Sequence, residues 1–258
     1  MDRTIHLRTL RNGRDLGGLI GAEGRPLRRG LLLRSANLSE TSEEDMLALA
    51  RDWRLRLVID LRMTLEREQM PDQRAPGVEF EALPIFDDVQ LGVTHEKPPS
   101  EAFRVPAMPD LARIYRKMTV EESRRVNLAK SVRRVMGFDF SEGSVLWHCS
   151  EGKDRCGLLS AVLLSALGVD RAQVMDDYLM TNLVNEARSR QFYQDLIDAG
   201  RSPEHAEMVR RGTLALPEYM QTIFDAVDEL YGGMEGYLRE GLGIEDELIA
   251  IFREKVLE

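Results

Sequence analysis

The sequence predicts an α/β domain with a mostly parallel central sheet flanked by helices. Short apolar segments typical of buried strands alternate along the chain with longer segments typical of helices. The clearest unit spans residues 144–167 and is predicted to be a strand, a tight polar loop and a helix. The loop follows the C-terminal end of a strand, which is where α/β sheets bind their ligands.

Length and composition narrow the class of protein. The chain has 258 residues, 43% of them hydrophobic, so we expect a sizeable core and a single domain over 1–258. A net charge of −9 argues against a nucleic-acid binder. The N-terminus lacks a signal-peptide core, and no apolar run reaches the roughly 20 residues of a membrane span. Both cysteines fall in one loop, which fits a reducing compartment, and we expect a cytoplasmic protein.

Four segments have the composition of strands, and helices are expected between them. The predicted strands are Gly30–Arg34, Leu55–Leu61, Val78–Ile85 and Ser144–His148. Thr41 followed by Glu44 is typical of a capping box, with Thr41 as the N-cap of a helix. Residues 89–110 contain several prolines and little periodicity, which is typical of a long functional loop.

The second half of the chain is predicted to be mainly helical. A strong apolar stripe runs from Leu216 to Tyr231, whereas residues 183–215 show only weak stripes. Weak stripes beside a strongly patterned core indicate low local stability. We therefore expect segments 89–118 and 183–215 to be insertions or a lid over the functional site.

The loop after the fourth strand places Cys149 five residues before Arg155. A thiol above a helix N-terminus has a lowered pKa and becomes a nucleophile. The free backbone N–H groups there also bind phosphate oxygens, and the planar fork of Arg155 matches two of them. Gly152 allows a tight turn. The alternative is a buried cysteine on an ordinary strand–helix turn.

The residues around Cys149 resemble the signature loop of the protein tyrosine phosphatase superfamily, and most closely its bacterial and fungal tyrosine/serine phosphatase branch. The matching motif is His148-Cys149-x-x-Gly152-Lys153-Asp154-Arg155-x-Gly157. The resemblance implies a cysteine-phosphatase-like fold. It also implies a phosphate-binding loop formed by Cys149, Ser150, Glu151, Gly152, Lys153, Asp154 and Arg155. This chain has Cys156 where the family usually has Thr or Ser, so a thiol replaces the hydroxyl thought to assist thiolate release.

Other motifs of the family recur elsewhere in the chain. Asn12-Gly-Arg-Asp-Leu-Gly-Gly18 resembles a segment near the start of this branch, and by resemblance Arg14 and Asp15 brace the functional site. The alternative is a surface turn with a local ion pair. Asp60-Leu-Arg62, at the end of the second strand, also matches the family. Because the ends of parallel strands line the ligand crevice, Asp60 and Arg62 are expected to face the signature loop. The alternative interpretation is an ion pair with Glu66 or Glu68.

The residues predict covalent phosphate-ester chemistry. Cys149 would attack phosphorus to form a phosphocysteine, and water would then hydrolyse it. The leaving group needs a proton from a positioned acid, for which the candidates are Asp154, Asp60 and Asp87 or its neighbour Asp88. A solvated turn is the alternative for the last pair. We expect no cofactor and no metal.

The substrate class stays open at this level. The predicted function is a protein tyrosine/serine phosphatase, with dual specificity undecided, acting on phosphorylated proteins. A phosphoinositide phosphatase is the first alternative, because Lys153 adds a cation that pairs with a second phosphate or only raises the local potential. A phosphate-binding module without turnover, and arsenate reduction or sulfur transfer by the same loop, are further alternatives. The oligomeric state is not indicated.

Overall fold

A computed structural model describes residues 2–86 and 111–258. Within those ranges, five strands form one sheet in the order β1-β2-β5-β3-β4. The β1 strand runs antiparallel to β2, and the remaining neighbours pair in parallel. The strands are β1 Arg14–Asp15, β2 Leu32–Ser35, β3 Leu55–Asp60, β4 Glu79–Ala82 and β5 Ser144–His148. The prediction of an α/β fold with a mostly parallel sheet is confirmed.

Helices form most of the remaining structure. The two that precede the undescribed segment are α1 Glu43–Asp52 and α2 Thr64–Gln69. Those that follow it are α3 Leu111–Val120, α4 Glu122–Met136, α5 Asp154–Ala166, α6 Arg171–Leu179, α7 Asn182–Asp198, α8 Pro203–Thr213, α9 Pro217–Tyr231, α10 Met234–Gly236 and α11 Asp246–Val256. A π-helical turn, Tyr237–Gly241, continues α10. None of these helices is long and apolar enough to cross a membrane.

The β5 strand lies in the middle of the sheet, between β2 and β3, and all its residues are buried. Its side chains alternate between two apolar clusters: Val145 and Trp147 join the larger one with α5, and Leu146 joins the smaller one with α1. Burial on both faces explains why this strand has a continuous apolar run instead of an alternating pattern. The loop that follows β5 therefore starts from a strand that is buried on both faces.

Several boundaries differ from the sequence-based predictions. The β2 strand is Leu32–Ser35 instead of Gly30–Arg34, and β3 ends at Asp60, one residue before the predicted end. The β4 strand is shorter than Val78–Ile85, because Pro84 has no N–H to donate to a neighbouring strand. The N-cap of α1 is Ser42, one residue after Thr41, and its side chain accepts a hydrogen bond from the Asp45 N–H. The α5 helix begins at Asp154, so Asp154 and Arg155, which were assigned to the phosphate-binding loop, lie in the first turn of the helix.

The two segments predicted to be insertions or a lid differ in their packing. Residues 87–110 lie outside the described residues, but 111–118 belong to α3, which buries Tyr115 and Met118 against the core and packs on α9. In contrast, α7 and α8 pack mainly on each other and carry the exposed apolar side chains Leu183, Phe192 and Met208.

Candidate active site

The segment Cys149–Arg155 comprises the loop between β5 and α5 and the first two residues of α5, and it passes very close to the end of β2. At Gly152 the backbone has φ +67°, and a Cβ atom there would lie 2.4 Å from the carbonyl oxygen of Ser35. Both the positive φ and the close approach require glycine. Gly152 therefore lets the loop curl tightly enough to bring its two ends, Cys149 and Arg155, to one place.

The backbone carbonyls of the loop are bound from outside by side chains on neighbouring segments. The donor and acceptor pairs are Asn37 to Ser150 (2.8 Å), Asn12 to Glu151 (3.0 Å) and Arg34 to Gly152 (2.7 Å). The N–H groups of residues 150–153 find no acceptor in the described part of the chain. With its carbonyls tied outwards, the loop keeps these N–H donors for an anion, as a phosphate nest requires.

A buried charge cluster supports this arrangement. Asp177, at the end of α6, accepts hydrogen bonds from Arg3 (2.8 Å), Arg14 (3.1 Å) and Arg34 (2.7 Å). Burial opposes ionisation, but the adjacent arginine charges hold the pKa of Asp177 well below its usual range. Arg14 also donates to the side-chain oxygen of Asn12 at 2.6 Å. Arg14 thus braces the loop through Asn12 and is buried, in contrast to the alternative of a surface turn.

Asp15 has a different task from its neighbour Arg14. Its two carboxylate oxygens accept hydrogen bonds from the N–H groups of Gly17 (2.9 Å) and Gly30 (3.0 Å). Burial raises the pKa of Asp15. Asp15 closes the turn that leads into β2, and among the described residues it makes no hydrogen bond or ion pair with the loop, so it shapes the scaffold.

Cys149 is the first residue of the loop, and it is 2% exposed. A side-chain hydrogen bond from Cys156, together with the charge of Arg155 and the Cys156 N–H, outweighs burial and lowers the pKa of Cys149 to about 5. Burial and the neighbouring sulfur raise the pKa of Cys156, so its thiol stays protonated. The Cys156 thiol also lies 3.8 Å from the Ser35 carbonyl oxygen and 3.9 Å from that of Trp147, so these acceptors compete with Cys149 for its single hydrogen.

Glu66, on α2, holds the guanidinium of Arg155. The two bonds join Arg155 Nη1 to Glu66 Oε2 (2.6 Å) and Arg155 Nη2 to Glu66 Oε1 (2.8 Å). Burial opposes ionisation of Glu66, but these bonds and the charge of Arg155 lower the pKa of Glu66 to about 2. The Ser150 hydroxyl also donates to Glu66. The pair fixes the plane of Arg155, and within the described ranges its Nε–H makes no hydrogen bond.

Arg62 forms ion pairs with Asp60 and Asp72, and not with the glutamates considered from the sequence. Arg62 Nη2 donates to Asp60 Oδ2 at 2.8 Å and to Asp72 Oδ2 at 2.7 Å, so neither Glu66 nor Glu68 is its partner. Asp72 also lies 3.1 Å from His148 Nε2.

The carboxylates of Asp60 and Asp72 and the His148 ring bring potential metal ligands within 4.8 Å of one another. The Arg62 guanidinium already supplies positive charge between the two carboxylates. The cluster therefore fits an arginine-neutralised support beneath His148 better than a metal site.

Asp154 lies in the first turn of α5, where the helix dipole favours a carboxylate. Its Oδ1 accepts a hydrogen bond from the Tyr115 hydroxyl at 2.5 Å and lies 3.4 Å from Lys153 Nζ. Nothing in the sequence pattern of α3 distinguished Tyr115 from a core aromatic residue. Asp87 and Asp88 lie outside the described residues, and their roles stay predictions.

Lys153 is 3% exposed, and its ammonium donates to the carbonyls of Gly212 (2.6 Å) and Leu214 (3.2 Å). It therefore ties the loop to the end of α8 and does not extend freely towards solvent. Beside it, Arg188 of α7 pairs with Glu151 at 2.9 Å. A cavity of about 290 Å³ lies between the loop and these two helices.

Comparison with known proteins agrees with this geometry. The sequence profile described as Tyrosine phosphatase family matches residues 5–258. A Cupriavidus necator protein named as a tyrosine-protein phosphatase is 30% identical over 247 residues, covering 92% of this chain and 83% of the relative. The triple specificity protein phosphatase PtpB of Mycobacterium tuberculosis is 30% identical over 241 residues, covering 83% of this chain and 86% of PtpB.

Solved structures with similarity to this chain include P. aeruginosa TpbA in complex with pTyr, at 20% identity and a TM-score of 0.33 over 59% of this chain and 70% of that one. The Siw14 catalytic core is 13% identical, with a TM-score of 0.36 over 69% of this chain and 79% of that one. The profile match spans nearly the whole chain, and both sequence relatives match over most of their length. The chain therefore belongs to the tyrosine phosphatase family and is a phosphatase.

Proposed function

We propose that this phosphatase hydrolyses phosphate monoesters on proteins, phosphotyrosine first among them, through a phosphocysteine at Cys149. The observation that carries the proposal is a Cys149 thiol of pKa about 5 in the same tight loop as an Arg155 held by Glu66. At pH 7 a thiol with that pKa is about 99% ionised, whereas an ordinary cysteine is almost wholly protonated. The nucleophile is thus ready at neutral pH.

In the first step, the Cys149 thiolate attacks phosphorus, the S–P bond forms and the bond to the ester oxygen breaks. A phosphate dianion repels a thiolate, and the free N–H groups of the loop together with Arg155 offset this repulsion. Arg155 retains its Nε–H for the phosphate while Glu66 occupies the opposite edge of its fork.

The departing ester oxygen needs a proton, and Asp154 is the candidate that the described geometry favours. One of its oxygens is held by Tyr115, and the other makes no hydrogen bond within the described residues. Asp60 is instead occupied by two-point contact with Arg62. In the second step, Asp154 takes a proton from the water that attacks phosphorus, the S–P bond breaks, and phosphate and the thiolate are released.

Two substitutions test the nucleophile and the clamp. Cys149→Ser is expected to abolish turnover of p-nitrophenyl phosphate and to retain vanadate binding, and Arg155→Ala is expected to lose both. Arg134→Ala is the matched control, because Arg134 also pairs with glutamates but lies on α4, where its partners are Glu79 and Glu81. Substantial turnover of p-nitrophenyl phosphate by Cys149→Ser would refute the phosphocysteine mechanism.

The acid is assigned by leaving-group dependence. Replacing the true proton donor by Asn costs more with phenyl phosphate than with p-nitrophenyl phosphate, whose anion leaves with little protonation. We expect Asp154→Asn to show that difference, and Asp60→Asn and Asp87→Asn to serve as the comparison. Equal losses on both substrates for Asp154→Asn would exclude it as the donor.

Phosphoinositides are the alternative substrate class, and the cavity beside the loop is the feature that favours them. A second phosphate there would meet Arg188 and Lys153, but Arg188 is paired with Glu151 and the Lys153 ammonium is bound to carbonyls. These contacts favour phosphoproteins. Turnover of phosphotyrosine and phosphoserine peptides and of phosphoinositides, measured on one preparation, decides between the two classes, and no turnover of any of them would indicate a binding module.

A further inference from the structure

Two buried tyrosines form a chain of hydroxyl groups that ends on Asp154. The Tyr178 and Tyr115 hydroxyl oxygens are 2.7 Å apart, and the Tyr115 oxygen is 2.5 Å from Asp154 Oδ1. Both rings are fully buried, Tyr115 on α3 and Tyr178 at the end of α6. Such a chain is costly to bury unless each hydroxyl has its partner, so the arrangement needs a physical reason.

The carboxyl group of Asp154 determines which hydroxyl donates and which accepts in the two tyrosine hydrogen bonds. Asp154 Oδ1 accepts from Tyr115 both in the carboxylate and in the acid that carries its proton on Oδ2, so the Tyr115 hydroxyl donates to Asp154 and accepts in turn from Tyr178. Burial and the nearby Asp154 carboxylate raise the pKa of both tyrosines, which keeps their hydroxyls protonated and able to donate. Consecutive donors strengthen one another in a water-excluded setting.

The two tyrosine hydroxyls give the two carboxylate oxygens of Asp154 different environments. Oδ1 faces Tyr115 and lies near Lys153 Nζ, whereas Oδ2 makes no hydrogen bond in the part of the chain that the structure describes. Because the Tyr115 ring is packed against Tyr219 at a centroid distance of 5.4 Å and cannot follow a moving carboxylate, the contact also fixes the side-chain rotation of Asp154. Oδ2 is left available for proton transfer.

We infer that Tyr115 is a positioning residue for Asp154, and that Tyr178 supports it by polarising its hydroxyl. This inference rests on the role of Asp154 in the proposed function. The bond to Tyr115 strengthens whenever Asp154 is ionised, as it is after giving its proton to the leaving group. The tyrosine chain therefore aids departure of the ester oxygen and holds Asp154 for the water of the second step.

A double-mutant cycle separates this role from simple packing. Tyr115→Phe removes one oxygen and keeps the ring; we expect kcat on phenyl phosphate to fall about 10-fold with KM changed by less than about twofold. Tyr178→Phe removes the outer donor and should cost about threefold. Tyr237→Phe is the control, since its equally buried hydroxyl donates to the Thr119 carbonyl, away from the loop.

The decisive measurement repeats Tyr115→Phe in an Asp154→Asn background, where we expect less than about a twofold further loss. The same loss in both backgrounds, or no loss in the wild-type background, overturns the inference and leaves the proposed function intact. If Asp154→Asn keeps full turnover, the role of Asp154 itself is wrong. Should Tyr115→Phe melt well below wild type, Tyr178→Phe alone, measured in the same two backgrounds, gives the answer.

Discussion

Removing the Cys156 thiol should make Cys149 a weaker acid. The hydrogen bond from the Cys156 side chain is the largest of the effects that hold the pKa of Cys149 at about 5. Cys156→Ala removes that donor, whereas Cys156→Ser replaces it by a hydroxyl, which donates more strongly than a thiol. The alanine variant should therefore titrate at higher pH, and the serine variant should not.

The size of the change follows from the strength of the lost bond. A hydrogen bond to a charged group contributes about 1.5–3 kcal/mol, and 1.36 kcal/mol corresponds to about one pKa unit. Since a thiol is a weak donor, we take the lower end and expect the pKa of Cys149 to rise by about one unit. At pH 5.5 the thiolate fraction would then fall about threefold, from about 75% to about 25%. At pH 8 both proteins would be ionised.

The assay is the rate at which iodoacetamide inactivates the enzyme, followed by residual turnover of p-nitrophenyl phosphate between pH 4 and pH 8. Only the thiolate is alkylated, so the midpoint of the rate curve reports the pKa of Cys149. Cys156→Ser and thermal melting serve as controls for the shape of the loop. If the Cys156→Ala midpoint coincides with that of wild type, Arg155 and the backbone N–H groups set the acidity and our assignment to Cys156 is wrong.

The ion pair at Arg155 and the two helices beside the loop yield one prediction each. Glu66→Gln keeps an acceptor but loses the charge that fixes Arg155, so the inhibition constant of orthovanadate should rise about 10-fold; a change no larger than that of the exposed control Glu68→Gln contradicts this. Amide hydrogens of α7 and α8, which bury few side chains, should exchange faster than those of α5 and slow when vanadate binds. Protection equal to that of α5 without ligand would refute a lid.

Local patterns in the sequence were sufficient to predict the framework of this site. The bounds of β5 coincide with the predicted Ser144–His148, because a strand buried on both faces carries a continuous apolar run that needs no knowledge of its neighbours. The requirement for glycine at position 152 is likewise local, since a tight loop needs a positive φ. The proposed nucleophile and the proposed phosphate clamp follow from this short segment and its spacing.

The partners of these groups depended on tertiary structure. Glu66 reaches Arg155 across 89 residues of sequence, and Tyr115 reaches Asp154 across 39. Glu66 meets the loop because β3, which leads into α2, lies beside β5 in the sheet, and no periodicity in either segment encodes that order. From sequence alone, Glu66 was an alternative partner for Arg62, and Tyr115 lay in segment 89–118, which was predicted to be an insertion or a lid.

Lys153 shows most clearly which properties follow from the sequence and which depend on tertiary structure. Its position in the loop was evident from sequence, and from that position both a mobile cation and a general increase in potential were reasonable. Packing argues against the mobile cation, since the end of α8 presents two carbonyls to a side chain that is almost fully buried. Hydrophobic periodicity is a property of neighbours along the chain and so predicts elements. The partner of a buried charge is set by which elements pack together, and only the folded structure determines that.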